Sequence, residues 1–344
     1  MTNAAWRAIQ GLRATPTGRA VSDRQRRRIF TAALNQAEEL AIAVSAVTYA
    51  VRPLLLFYSL SQAGRAIAAA HLEGRAELSG HGLSFTCEPT AILESSVAPS
   101  GTGAFQDVAS AAQSSGLREA AELGALWAAN PDLQQIPIPE AGRWPRILSC
   151  VLGTRGGLPS DGPVSTGGRL RTLVELPGET GADLDRAIAQ YPTLAGTRPF
   201  RDGMAGFVPV GPDERVDRIA KADGSLAVAV GREAPPHLEL AEYWGMEDAL
   251  YSTVEIAETF PRWPHPHLVG VIQPSVGGGQ APSPLMLWWA LLLGLSSLAR
   301  YYPAVWVRTI DLDQSVLATP LHQVLDVAAD RVPARVLDAL RNHD

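Results

Sequence analysis

The chain is poor in cysteine, nearly without lysine, and has no apolar run of membrane-spanning length. Cys87 and Cys150 are the two cysteines in 344 residues. Two isolated thiols form no secreted disulfide framework, and neither lies in a CxxC pair that would begin a zinc site. Residues 1–30 hold no continuous apolar stretch of the kind a signal peptide requires. A reducing cytoplasm is the compartment expected. Lys221 is the single lysine, so arginine carries nearly all the positive charge. With alanine also abundant, this is a compositional bias, and arginine alone is no sign of phosphate binding. GxSxG, HExxH and zinc patterns are missing. Gly277-Gly278-Gly279 and Gly101-Thr102-Gly103 lack the Lys-Ser/Thr and strand-to-helix setting of a phosphate loop. His265-Pro266-His267 has no close carboxylate or cysteine to complete a metal site. No cofactor and no metal are expected.

What is present is apolar material. Hydrophobic residues make up 46% and charged residues 19%, enough for a large core and for two or three domains rather than one. Net charge is −6 but unevenly spread. Residues 1–30 carry seven arginines against Asp23, a local +6, leaving −12 for the rest. Such a basic arm suits nucleic acid or the acidic body of another subunit, and equally a solvated helix start. Another protein or RNA are the partner classes in view, and a homo-oligomer is open.

Four regions follow along the chain. Residues 1–20 are expected as a mobile basic arm, interrupted by Pro16 and Gly18. Residues 21–84 form an N-terminal helical part. Ser22-Asp23-Arg24-Gln25 is a capping-box pattern, and Ile29, Ala33, Leu34, Ala37, Leu40, Ala41 and Val44 recur at helical spacing, with Glu38 and Glu39 opposite. Pro53 suits a first helical turn, and Leu54 to Leu72 is apolar on most sides, as in the centre of a bundle. Residues 85–240 form a mixed α/β middle region, rich in glycine and proline. Helical pieces are expected at 116–129 and 180–190, and strands at Arg169–Leu176 and Ser225–Val230. Residues 241–344 return to helix: Glu242 to Phe260, a loop from Pro261 to Pro282, the apolar helix Leu285 to Ala299, and an amphipathic helix from Pro320.

The 284–299 helix has roughly 16 residues where a bilayer needs ~20, and Ser296 and Ser297 dilute it further. It is a buried core helix, and no membrane span is expected. Arg52-Pro53-Leu54-Leu55-Leu56-Phe57-Tyr58-Ser59-Leu60 echoes Ser283-Pro284-Leu285-Met286-Leu287-Trp288-Trp289-Ala290-Leu291. Each is too apolar to stand alone in water, so both ends of the chain are expected in one helical core. The fold class is α+β, mainly α.

The run Arg52 to Tyr58, then Gln62-Ala63-Gly64-Arg65-Ala66-Ile67 and His81-Gly82-Leu83, resembles the YaaC-like protein family. Pro284 to Trp306, with Leu298-Ala299-Arg300-Tyr301 and Pro303-Ala304-Val305-Trp306, resembles it too. This resemblance implies an architecture and no particular reaction. The N-terminal helices resemble, more distantly, HEPN-type bundles, whose ribonucleases carry an Arg, four to six residues, then a His. Arg65 and His71 match that spacing. The resemblance implies a HEPN-like core, a stress or phage-defence setting, and a metal-independent ribonuclease in which Arg65 stabilises the phosphate and His71 or His81 moves the ribose proton. Arg65 and His71 lie ~120° apart on an unbroken helix, so only a break near Ala69 or Ala70, or pairing across subunits, would join them.

Tyr58, Ser61, Gln62 and Arg65 follow i, i+3, i+4, i+7 and share one helix face. Such a stripe either faces water or forms a buried seam open to a cleft, where Arg65 calls for a carboxylate or phosphate. His81-Gly82 sits in a loop, either as a turn or as a ligand contact. Asp311 and Asp313 either organise a turn or bind a cation. Three functions stay open: an interaction or regulatory protein, a ribonuclease, or nucleotide or nucleic-acid binding without cleavage.

Overall fold

A computed structural model describes residues 4–139, 142–154, 169–176, 190–191, 198–199, 215–220, 226–233 and 269–341. The chain divides into two compact units: Met1–Pro145 with Val276–Asp344, and Arg146–Ser275. The division falls after Pro145 and before Val276.

The first unit is helical, with a small sheet. Its helices are α1 (Ala4–Ala14), α2 (Arg24–Val44), α3 (Arg52–His71), α4 (Ala104–Ala111), α5 (Leu123–Ala128), α6 (Pro284–Tyr301), α7 (Pro303–Thr309) and α8 (Ala318–Arg341). Strands β1 (Leu83–Thr86), β2 (Ser96–Pro99) and β3 (Ala121–Glu122) form an antiparallel sheet in that order, with Leu83 opposite Pro99 and Val97 opposite Ala121. The second unit holds β4 (Leu148–Thr154), β5 (Arg169–Leu176), β6 (Arg198–Pro199), β7 (Arg215–Ala220), β8 (Leu226–Glu233) and β9 (Val269–Ile272), in the order β6-β7-β8-β5-β4-β9. All its pairings are antiparallel except β6 with β7.

α3 and α6 are the centre of the first unit, as their largely apolar surfaces require. Pro53 and Pro284 each occupy a first turn, where no N–H is needed. Phe57, Leu60 and Ile67 share one buried cluster with Leu287, Trp288, Leu291 and Leu295, and Leu55 packs against it. Gly64 is where the two helices meet: a Cβ there would lie 2.3 Å from the Trp289 ring. A buried carboxylate ties the same core together. Asp132 accepts from Trp288 Nε1 at 2.8 Å and from the Arg335 guanidinium at 3.1 and 2.5 Å, joining α6 and α8. Among the described residues no helix is long and apolar enough to cross a membrane.

The N-terminal segment departs from a free arm. α1 forms there, with Trp6 and Ile9 buried. Arg13 pairs with Glu38 at 3.2 Å, and Gln10 bonds the same carboxylate, so Glu38 is buried on α2 rather than facing water. Arg19 pairs with Glu73, and Arg27 donates to the carbonyls of Ala20 and Val21. Arg26 is buried, its guanidinium donating to the carbonyls of Ala68, Ala69, Leu72 and Gly74. Ala68, which also accepts from the Leu72 N–H, and Ala69 belong to the last turn of α3, and Leu72 and Gly74 follow just beyond it, where the helix dipole also favours a cation. Four of the seven arginines are thus engaged within the fold, a use that charge counting does not reveal.

Other local departures have plain causes. The N-cap of α2 is Asp23, which accepts from the Gln25 and Arg26 N–H groups, not Ser22. The helix expected over 116–129 is reduced to α5, because Ala121 and Glu122 pair as β3. The loop expected over 261–282 contains β9, which pairs with β4. Arg169–Leu176 is β5 as expected, and the strand expected at Ser225–Val230 is β8. The helix expected at Glu242–Phe260, the 180–189 part of another, and His265 and His267 lie outside the described residues.

Candidate functional site

The loop between α3 and β1 is shaped by glycine. Gly80 and Gly82 have φ of +62° and +74°, the left-handed region that glycine enters without a Cβ clash. Their turn aims carbonyls at the start of α4: Ala104 N–H donates to Gly80, Phe105 N–H to His81, and Gln106 Nε2 to Gly82. The His81-Gly82 pair is thus a cap for α4 through its backbone, which leaves the imidazole free to do something else. The ring packs on Phe57 of α3, with centroids 5.6 Å apart.

Beside that contact lies a pocket of about 220 Å³ within the first unit. α3 contributes Leu54, Phe57 and Tyr58; the following segment contributes His81, Leu83 and Phe85. The C-terminal half of α6 supplies Leu293, Ser296, Ser297 and Arg300, and the turn beyond it Tyr301 and Tyr302. Apolar walls come from Leu83 and Leu293, both buried, and from Phe85, edge-on to Tyr302 at 6.3 Å. Polar groups share the lining: Tyr58, His81, Ser296, Ser297 and Arg300. Arg300 donates to the Tyr58 hydroxyl at 3.1 Å and lies 5.0 Å over the Tyr301 ring. The Ser296 hydroxyl donates to the Leu293 carbonyl and is buried.

The anticipated site residues separate. Tyr58 and His81 line this pocket together, whereas Ser61, Gln62, Arg65 and His71 do not. Tyr58 is exposed, and Ser61, Gln62 and Arg65 are half-buried, so the stripe is neither a dry seam nor fully in water. Arg65 donates to the Leu78 carbonyl at 3.4 Å. His71 Nε2 meets the Leu340 carbonyl at 3.1 Å, beside Gly18. α3 runs unbroken to His71, so no kink turns the two side chains together. Asp311 organises a turn, accepting from Asp313 N–H and Gln314 Nε2. Gly277 is likewise a turn residue, its carbonyl accepting from Arg118 and Glu119 N–H.

Sequence reading missed Arg300, Tyr301 and Tyr302 as site residues. Their signal was present: a cation and two aromatics closing an apolar helix. Only the packing of α6 on α3 sets them opposite Tyr58. A second polar cluster also arises from folding alone. Tyr49 stacks on His322 at 3.8 Å, its hydroxyl donates to Asp326, and Arg52 binds Asp326 and lies over the Tyr49 ring. Burial holds His322 below its ordinary pKa and pushes Tyr49 above its own.

The family model described as YaaC-like Protein matches residues 11–141 and 271–340, more than half of the chain. Those two segments nearly coincide with the first compact unit, and most of the second falls between them. No curated protein and no solved structure matches the chain. The likeness to HEPN bundles accordingly finds no support beyond the spacing of Arg65 and His71.

Proposed function

The chain belongs to the YaaC-like family, and from its geometry we propose that it acts by binding, as an interaction or regulatory protein whose site is the pocket between α3, the His81–Phe85 segment and α6. One observation carries this: three separate segments bring aromatic rings, an arginine and hydroxyls around one concavity with both apolar and polar walls. That is the composition of a recognition site, apolar walls with a few placed polar groups. The ribonuclease reading draws no comparable support, since Arg65 and His71 are engaged with separate carbonyls. Nucleic-acid binding through the N-terminus is weakened by the arginines committed to Glu38, Glu73 and the end of α3. A stress or phage-defence setting is no part of this reading. Cys87 is a free thiol, which suits a reducing cytoplasm.

The test is a small-molecule library screened by thermal shift against the protein and against Ser297→Phe, which fills the pocket from its half-buried edge. Hits are expected to lose their shift in the variant. Hits that persist unchanged place binding elsewhere. RNA turnover by monodisperse protein that disappears in Arg65→Ala overturns the binding reading in favour of catalysis.

A further inference from the structure

We propose that the ligand of this pocket is a small organic carboxylate with an apolar body, received by Arg300; the inference rests on the pocket being the binding site argued above. Charge is the first reason. Arg300 lines the pocket, and no Asp or Glu does. Arg52, Arg75, Arg143 and Arg335 each pair with a carboxylate. Among the described residues no such partner is recorded for Arg300, whose hydrogen bond goes to a neutral phenol. A guanidinium carries five N–H donors in a planar fork that matches a carboxylate. One donor on Tyr58 leaves most of that fork for a ligand. Because the Tyr58 oxygen accepts from Arg300, its own proton is available to a second anionic oxygen.

The charge class follows from what surrounds the arginine. α6 ends at Tyr301 and α7 begins at Pro303, so opposite ends of two helix dipoles meet beside the pocket and neither sign of field dominates. With Arg300 the one arginine or lysine lining the pocket, a monoanion is the better match. The body of the ligand follows from the walls. Phe57, Leu83, Phe85 and Leu293 offer no polar side-chain atom, and their rings favour a flat apolar group. About 220 Å³ is below the usual range for drug-sized ligands, so the fit is to a single ring or a short branched chain.

Calorimetric titration of the full-length protein with benzoate, benzamide and phenyl phosphate tests this. Benzoate is expected to bind roughly tenfold or more tightly than benzamide, the effect of one charge-assisted hydrogen bond. Its affinity should fall with added salt, as for an exposed charge. Arg300 is exposed, so Arg300→Gln should melt as the parent does while bringing benzoate to the benzamide level and leaving benzamide unchanged. Benzamide binding as well as benzoate, or a preference that survives Arg300→Gln, overturns the carboxylate assignment while leaving the pocket as a binding site. Phenyl phosphate binding tightest overturns it in favour of a dianion. If none of the three binds at millimolar concentration, the assignment falls, and the library screen with Ser297→Phe decides separately whether the pocket is a site.

Discussion

At the scale of single residues, two side chains have effects that their types do not announce. Arg26 looks like part of a cationic arm, yet its side chain is 7% exposed and serves four carbonyls at the end of α3. Removing it leaves those acceptors without their cap, so Arg26→Ala should cost about 2–3 kcal/mol, the usual effect of losing hydrogen bonds from a charged donor. Urea unfolding of variant and parent measures it; a loss no larger than that of exposed Arg24→Ala would assign Arg26 to the surface. His322 gives a pH dependence. Burial under Tyr49 lowers its pKa from the ordinary 6.5, opposed by the Ile310 carbonyl and Asp326 and assisted by Arg52. Its Nε2 is buried without a hydrogen-bond partner among the described residues. The unfolded chain therefore takes up the proton first as pH falls. Stability should be level above about pH 7 and decline below 6.5, down to the folded pKa. Replacing His322 with Phe should flatten that limb of a pH 5–8 unfolding series; an unchanged slope would move its origin to another group.

At the scale of elements, the α3–α6 crossing decides most. Both helices are apolar on most sides, a property readable from sequence, but their closeness depends on Gly64. A methyl there would sit 2.3 Å from Trp289 and 3.1 Å from Val108, so one helix must move away. Gly64→Ala should destabilise by about 1–3 kcal/mol, as overpacking does, despite alanine's better helix propensity. Because α3 and α6 also wall the pocket, the variant should bind pocket ligands more weakly. A thermal melt that rises would mean that the propensity gain exceeds the strain.

At the scale of the whole molecule, the helical unit is assembled from both ends of the chain and interrupted by the unit with the six-stranded sheet. The interruption looks easy to close. Trp144 donates to Glu122, and the Gly277 carbonyl accepts from Arg118 and Glu119, so both broken ends lie against one short stretch. Three or four residues of extended chain span ~10–14 Å. Replacing residues 146–275 with about six Gly/Ser residues should give a protein that unfolds cooperatively. Residues 1–90 alone should not, since α3 would expose the face that α6 covers. Aggregation of the excised protein, with an intact parent, would make the sheet unit necessary for the helical one to fold.

Local periodicity determined much of this architecture. It marked the two proline-led apolar helices and the β5 segment, while the YaaC-like resemblance rested on particular residue runs at both ends. Those signals live in neighbouring residues, where spacing of 3.6 or 2 records which face is buried. Tertiary structure alone decided the rest. It turned Arg26 from arm to cap, buried Glu38 against Arg13 and Gln10, and made Ala121 and Glu122 a strand by pairing them with Val97 and Ser96. It also brought Tyr58 and His81 to the lining of one pocket with Arg300, more than 200 positions from Tyr58. A polar stripe on one helix shows which residues share a face; which part of that face meets a cavity depends on the partner helix, and no local pattern records it.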